Sequence, residues 1–164
     1  MPQAIDALTE AVVDVPPEVA YREILKLYAG TSEWHFPNIR KRHRDDTPFE
    51  CDGALYDVWV QARPPLTIHC IDKLVKKVDG RLLDFDETGD FRGSSTWIFE
   101  PSGDGGTTIK FRWLARPRRG LYVLLFTLFG SSIVEGIERS HKEMALHGFK
   151  LLEEHVKKQK GRSP

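Results

Sequence analysis

The chain begins with a stretch in which apolar and charged residues alternate. The positions of one parity are Ile5, Ala7, Thr9, Ala11, Val13 and Val15, against Asp6, Glu10 and Asp14. A period of two predicts a β-strand. Pro16-Pro17-Glu18 follows, and a proline in the first turn with an acid near the positive end of the dipole predicts the start of a helix. We expect Gly30 to end that helix.

The middle of the chain predicts a meander of strands. Between residues 31 and 53 the pattern is mixed: Trp34-His35-Phe36-Pro37 predicts a short helix or a loop, and residues 38–46 predict a short polar strand. From Ala54 onward the predicted strands are Ala54–Ala62, Leu66–Val78, Arg81–Thr88, Arg92–Glu100 and Thr107–Ala115. Their connections, such as 63–65 and 102–106, are short, so we expect antiparallel pairing.

The last third changes to a helical period. Residues spaced for one helical face are Ile133, Val134, Ile137, His141, Met144, Ala145, Gly148, Leu151 and Leu152. This stripe predicts one long amphipathic helix from Ser131 to Lys158. The order strand, helix, strand meander, long helix predicts an α+β fold with helices packed on one face of an antiparallel sheet.

Length and composition narrow the functional classes. With 164 residues and no internal repeat, we expect one domain over 1–164 whose ends, 1–3 and 159–164, fray. The chain has 24 Lys plus Arg and 24 Asp plus Glu, which argues against a general nucleic-acid binder. Cys51 and Cys70 are far apart and read as reduced thiols. The acidic N-terminus resembles no secretory signal, and the uncharged run 120–134 is shorter than the ~18–20 residues that span a bilayer. We therefore expect a soluble, cytoplasmic protein.

One predicted hairpin, residues 93–113, carries a broad aromatic face. Trp97 and Phe99 share a face of its first strand, and Ile109, Phe111 and Trp113 share a face of its second. These side chains either fill a core or form the wall of a cavity, and aromatic residues serve both purposes.

Nearly the whole chain resembles the START-like (SRPBCC, Bet v 1-like) superfamily. The resemblance lies in VDVPPEVAYREI at 13–24, in Trp34-His35-Phe36-Pro37, in TWIFEPSGDGGTTIKFRW at 96–113 and in VEGIERSHKEMALHGFKLLEEHV at 134–156. It implies the helix-grip fold, in which a curved antiparallel sheet of about seven strands wraps around a long C-terminal helix, with two short helices after the first strand. The superfamily includes pollen allergens, lipid-transfer START domains and a polyketide cyclase/dehydrase branch, which this chain resembles.

The resemblance also implies an apolar cavity between the sheet and the final helix. The expected function is binding or transport of a hydrophobic small molecule, either a lipid or an aromatic, polyketide-like compound. The expected cavity residues are Trp34, Phe36, Tyr56, Val58, Leu83, Phe85, Trp97, Phe99, Phe111, Trp113, Ile137, His141 and Met144. The alternatives are a polyketide cyclase or dehydratase acting in the same cavity, and a protein-interaction or co-chaperone-like module. We expect no cofactor, and a monomer or homodimer.

Few residues offer catalytic chemistry. His141 lies in the middle of the apolar stripe, where a histidine either has a hydrogen-bond partner or contacts a cavity. Gly148, two turns later, allows either close packing or extra room for a ligand. His69 is the second candidate for acid–base catalysis, followed by Tyr56 and His35, and no pair has a spacing that enforces contact. Residues 103–106 lack the phosphate-loop ending, and no motif predicts a metal site.

Two basic clusters have two interpretations. They are residues 40–44 and the group Arg116, Arg118 and Arg119. One interpretation is docking on an anionic membrane, at most peripherally. The other, which we favour, is a charged strand edge that discourages sheet-to-sheet aggregation, with Asp45 and Asp46 balancing the charge.

Overall fold

A computed structural model of the protein describes residues 4–63 and 66–161. The strands and helices, in chain order, are β1 (Ile5–Val13), α1 (Pro17–Ala29), β2 (Ile39–His43), β3 (Leu55–Arg63), β4 (Leu66–Val78), β5 (Leu82–Gly89), β6 (Phe91–Pro101), β7 (Thr107–Pro117) and α2 (Gly120–Lys160). The predicted turn at 64–65 and the ends 1–3 and 162–164 lie outside the described residues. Residues 159 and 160, which we expected to fray, belong to α2.

The seven strands form one antiparallel sheet in the order β1-β7-β6-β5-β4-β3-β2. The strands from β2 to β7 pair with their neighbours in sequence, as the short connections predicted, and β1 closes the far side by pairing with β7. The predicted strands, including the short polar β2, are therefore confirmed.

One face of this sheet is apolar because the strands are paired in phase. Leu83 of β5 lies opposite Trp97 of β6, which lies opposite Phe111 of β7, which lies opposite Thr9 of β1. Side chains alternate along each strand, so residues two apart join the same face. We call this surface the concave face, and the helices cover it.

Helix α1 forms where the sequence predicted it. Pro16 and Pro17 set its first turn, and its C-cap Gly30 adopts φ 74°, a left-handed conformation that glycine takes without strain. Its apolar side packs into the core with Ala20, Ile24, Leu25 and Tyr28. The prediction of a second short helix after β1 is wrong, because residues 31–38 form a loop. Their aromatic side chains Trp34 and Phe36 are buried, at 5% and 2% exposure.

Helix α2 begins eleven residues earlier than expected, at Gly120. The uncharged run before the amphipathic stripe continues the helix instead of forming a loop, although Gly130, at φ 26° and ψ −108°, breaks the regular backbone. The predicted stripe is confirmed, because the buried positions beyond Gly130 are Val134, His141, Ala145, Gly148, Phe149, Leu152 and Val156.

Gly148 is the point at which α2 closes on the loop that follows α1. A β-carbon built at Gly148 would overlap the ring of Phe36. That ring also lies 5.9 Å from the ring of Phe149 and 5.8 Å from that of Trp97. Of the two roles considered for Gly148, the structure shows close packing.

The core consists of two apolar clusters. The larger joins α1, Trp34, Phe36, the aromatic residues of β5–β7 and the end of α2. The smaller lies at the other end of the sheet, where Phe91, Ile68, Ala7, Phe126 and Val134 meet. The boundary between them falls across the middle of the concave face.

We predict that Gly148→Ala lowers the free energy of unfolding by about 1–3 kcal/mol, because the added methyl overpacks against Phe36. Urea denaturation measures the change. The matched control is Gly136→Ala on the same helix, where an added β-carbon meets nothing within 4 Å. Removing a helical glycine there should stabilise the protein by about 0.4–1 kcal/mol. Equal effects of both substitutions would contradict the tight Gly148 contact.

Candidate functional site

Polar side chains lie between the two apolar clusters, on the inner side of the sheet and under α2. We call this group the polar belt. Its members are Thr9, Lys41, Tyr56, Asp72, Glu87, Ser95 and His141, which are buried or, for Lys41, 7% exposed in the side chain. They come from β1 to β6 and from α2, so residues distant in sequence meet there.

Strand register places the belt's carboxyl groups side by side. Asp72 of β4 is directly opposite Glu87 of β5, and both are buried. The Lys41 ammonium lies 3.9 Å from Asp72 Oδ2 and 3.5 Å from the centre of the Tyr28 ring. The belt therefore contains one buried cation and two buried carboxyl groups in an otherwise aromatic surrounding.

Burial changes the acidity of these groups. Burial raises the pKa of Asp72, and the nearby charge of Lys41 offsets part of that rise. Burial also raises the pKa of Glu87, and the negative charge of Asp72 raises it further. The Trp113 indole N–H donates to both oxygens of Glu87 at 3.1 Å. Burial also lowers the pKa of Lys41 to about 8. At neutral pH Lys41 is therefore charged. Of the two carboxyl groups, Glu87 binds a proton more readily than Asp72.

His141 is the belt residue that α2 contributes. Its ring lies 4.7 Å from the ring of Phe111 and 5.9 Å, nearly parallel, from that of Trp113. Neither ring nitrogen has a hydrogen-bond partner among the described residues. Burial, followed by the charge of Lys41, lowers the pKa of His141 to about 4. The predicted inward position of His141 is confirmed, and its imidazole is neutral at pH 7.

Several buried polar atoms of the belt share this lack of a partner. Within the described part of the chain, Thr9 Oγ1 and both ring nitrogens of His141 have no partner at all. Asp72 Oδ1, Ser95 Oγ and Tyr56 Oη also lack a hydrogen bond of standard geometry, although the Tyr28 hydroxyl lies near Asp72 and Ser95, and the Glu50 backbone lies near the Tyr56 hydroxyl. Buried polar groups are nearly always hydrogen-bonded in proteins, because an unpaired one costs about 1–3 kcal/mol. A concentration of them in one place is typical of a site that receives a polar molecule.

The expected cavity residues lie on the inner side of the protein, but most of them pack against one another. Trp97 stacks on Phe111 at 3.8 Å, and the Trp97 indole N–H donates to the Tyr28 hydroxyl at 3.1 Å. The residues that are buried in this way are Trp34, Phe36, Tyr56, Val58, Leu83, Phe85, Trp97, Phe99 and Phe111, whereas Trp113, Ile137 and Met144 are half-buried. The aromatic face is therefore mainly a packed core at this end.

Two pockets open beside α1, and α2 borders neither. One, of about 370 Å³, is lined by Leu27, Trp34, Phe36, Ile39 and Lys41. We call it the Lys41 pocket, because Lys41 is one of its lining residues. The other, of about 870 Å³, is an open groove between α1 and the loop that holds Phe49. The aromatic loop 34–36 thus separates the Lys41 pocket from the space under α2.

His69, the second catalytic candidate, lies outside this site. It is on the convex face, where its ring stacks on Trp59 at 5.2 Å and its Nε2 lies 2.9 Å from Asp57 Oδ1. Its position follows from strand alternation, because the inward residues of β4 are Ile68, Cys70 and Asp72. His35, a further candidate, lines the Lys41 pocket without belonging to the belt.

Sequence reasoning missed Lys41 and Glu87 and could not orient Asp72. The signal for Glu87 was present, since it shares the parity of Leu83 and Phe85 in β5. Asp72 was obscured by the irregular pairing of β4 between Leu74 and Lys76, which makes both faces of the strand mixed. Lys41 was hidden within the basic cluster of β2.

Among the described residues, no three His, Cys, Asp or Glu side chains are arranged to hold a metal ion. Cys51 is exposed and Cys70 is buried, and the two are not bonded. The belt offers a cation, carboxyl groups and hydroxyl groups, which suit an organic polar group.

Solved structures resemble the fold over most of the chain. The protein TTHA0849 from Thermus thermophilus matches 92% of this chain and 98% of its own, with a TM-score of 0.60 and 20% identity. Ara h 8.0201 matches 94% of this chain and 98% of its own, with a TM-score of 0.59 and 16% identity. The chain has the helix-grip fold. The fold predicted from the resemblance is thereby confirmed.

A third helix-grip structure is the di-domain ARO/CYC StfQ from the steffimycin biosynthetic pathway. It matches 96% of this chain with a TM-score of 0.65 and 13% identity, and the match spans 52% of StfQ. At these identities the likeness concerns the fold alone. No protein-family model and no curated protein matches the sequence.

We predict that acid destabilises the protein through His141. Its folded pKa is below the ordinary 6.5, so between pH 6.5 and 4 the unfolded chain binds a proton that the folded protein does not. The free energy of unfolding therefore falls as the pH is lowered, by about 3 kcal/mol in full. His141→Leu removes this effect and should become more stable relative to the wild type at pH 4 than at pH 7.5, as measured by urea denaturation. Parallel stability curves for the two proteins would contradict a buried neutral imidazole.

Proposed function

We propose that this protein binds a hydrophobic small molecule, a lipid or an aromatic, polyketide-like compound, between the sheet and α2. The observation that carries the proposal is the set of unpartnered polar atoms of the belt, enclosed between two apolar clusters. A ligand with an apolar body and one or two polar groups would bury its body among the aromatic side chains and pair its polar groups with the belt. The helix-grip fold and its Bet v 1-like and polyketide-cyclase neighbours are compatible with such a ligand.

The route proposed for the ligand is the Lys41 pocket. Its apolar lining comes from Leu27, Trp34, Phe36 and Ile39, and Lys41, whose ammonium group lies 3.9 Å from the belt's Asp72, lines it too. Phe36, which lines this pocket, also packs against Gly148 and the ring of Phe149, so rotation of the Phe36 side chain would connect the pocket with the space under α2. Burial of the ligand's apolar surface contributes about 25 cal/mol per Å² to the binding free energy. Ligand binding in such a fold therefore needs no catalytic step.

We predict that the protein purified without denaturation carries a co-purified lipid or aromatic compound in native mass spectrometry. We also predict saturable binding of 11-(dansylamino)undecanoic acid, detected as energy transfer from tryptophan to the dansyl group. Lys41→Met should weaken this binding at least tenfold, because it removes the buried cation that would meet the carboxylate.

Lys110→Met is the matched control for that experiment. Lys110 is on the convex face, paired with Glu100 at 2.7 Å, and its replacement should leave the affinity unchanged. The absence of both a co-purified compound and saturable binding would contradict the proposal, as would equal effects of the two lysine substitutions.

A second candidate function is favoured by Asp72 and Glu87. Their paired positions and raised pKa values provide a proton acceptor beside a proton donor in a buried site, which acid–base catalysis requires. Such a pair would assist cyclisation or loss of water from a folded polyketide chain. In this version of the site Glu87 supplies the proton, Asp72 accepts one, and His141 contacts the substrate.

We predict for this second function that Glu87→Gln lowers turnover of a linear poly-β-ketone thioester at least a hundredfold while dansyl fatty-acid binding persists. Product formation is followed by absorbance and mass spectrometry. The control is Glu100→Gln on the convex face, which should retain full turnover. An unchanged rate in Glu87→Gln, or no turnover by the wild type, would contradict the catalytic function and leave ligand binding as the only proposed function.

A further inference from the structure

The first ten residues of α2, 120–129, expose an apolar face. The exposed fractions are 54% for Leu121, 54% for Leu124, 63% for Leu128 and 58% for Phe129. These four residues lie on one side of the helix, and we call them the apolar helix face. Scattered exposed apolar residues are common, but a contiguous group marks a docking surface.

The adjoining side of the same helical segment is anchored to the protein. Phe126 is buried, and its ring lies 5.8 Å from that of Phe91. The ring of Tyr122 lies 5.3 Å from Phe91, and its hydroxyl donates to the Thr67 carbonyl at 3.3 Å. The helix is thus held on the core by one side while the apolar helix face points to solvent.

The length of this segment determines how it can meet a bilayer. Judged by length and composition alone, α2 is long and apolar enough to cross a membrane. However, Gly130 breaks its backbone, and beyond that residue Val134 and His141 are buried against the rest of the protein. Ten helical residues span about 15 Å, half of the ~30 Å hydrocarbon core. The segment therefore suits insertion into one leaflet and is too short to cross both.

Basic residues border the apolar helix face. Arg116, Arg118 and Arg119 directly precede the helix and are exposed. The favoured strand-edge interpretation is wrong for this group, because β7 lies between β1 and β6, whereas β2 with the other basic cluster is at the sheet edge. Arg92 of β6 lies directly opposite Arg116 of β7 and is exposed too. Like charges at directly opposed positions of a sheet repel each other. Asp90, 3.5 Å from Arg119, offsets part of this charge, and an anionic surface would offset the rest.

We propose that the apolar helix face and the adjoining arginines dock on the surface of an anionic lipid bilayer. The leucine and phenylalanine side chains enter the boundary between headgroups and acyl chains, and the arginines contact the lipid phosphates. The positive charge of the adjoining arginines favours an anionic lipid surface over a neutral protein partner. This inference is independent of the proposed ligand, since none of these residues belongs to the polar belt.

Vesicle flotation tests the inference directly. Wild-type protein should float with vesicles of phosphatidylcholine and phosphatidylglycerol at 3:1, bind at least tenfold more weakly to pure phosphatidylcholine, and lose affinity between 50 and 500 mM NaCl. Leu128→Asp should lower the partition coefficient at least tenfold. Arg116→Gln with Arg118→Gln should lower it about tenfold at 50 mM NaCl and much less at 500 mM.

The matched control is Leu146→Asp, which introduces the same charge at an exposed leucine of α2 beyond Gly130. It should bind vesicles like the wild type, and circular dichroism should show that all variants are folded. Sedimentation velocity, with and without Leu128→Asp, distinguishes a second copy of the chain as the occupant. If the wild-type protein does not bind anionic vesicles, the proposal is wrong, whether the protein sediments as a dimer or as a monomer. Equal binding to both lipid compositions would also overturn it.

Discussion

The in-phase pairing of the seven strands is the constraint on which the rest of the structure depends. It aligns Leu83, Trp97 and Phe111 across β5, β6 and β7, so that one continuous face becomes apolar and must be covered by helices. The same alignment brings Asp72 opposite Glu87 in the interior. A slip of one residue between two strands would exchange the faces and bring the convex charges inside. Core and candidate site are thus consequences of one register.

The polar belt divides the core and is costly to stability. Two buried carboxyl groups, a buried ammonium group and an unpartnered imidazole all require desolvation, and the 3.9 Å contact between Lys41 and Asp72 compensates only part of it. Replacing such groups by apolar residues of similar size often stabilises a protein. Their concentration under α2 therefore supports the proposed role in binding rather than a role in stability.

Helix α2 has different tasks along its length. Beyond Gly130 it covers the sheet, and Gly148 brings it close enough for Phe36 to pack beneath it. Before Gly130 only one side is anchored, by Phe126, and the other side is exposed and apolar. One helix therefore covers the candidate site at one end and carries the proposed docking surface at the other, and the break at Gly130 allows each half its own direction.

Local pattern in the sequence determined the strands, α1 and the amphipathic part of α2, because alternation of period 2 or 3.6 is imposed by which side of an element is buried. It also determined that Trp97, Phe111 and His141 face inward. Only the tertiary structure decided that Lys41, Asp72 and Glu87 form one group, since strands far apart in sequence bring them together. Tertiary packing likewise decided that the aromatic face is largely filled and that residues 120–129 are exposed. The period of apolar residues in the sequence shows that one side of a strand or helix is apolar. Whether another element, a ligand or a membrane covers that side depends on tertiary contacts, which the local sequence pattern does not contain.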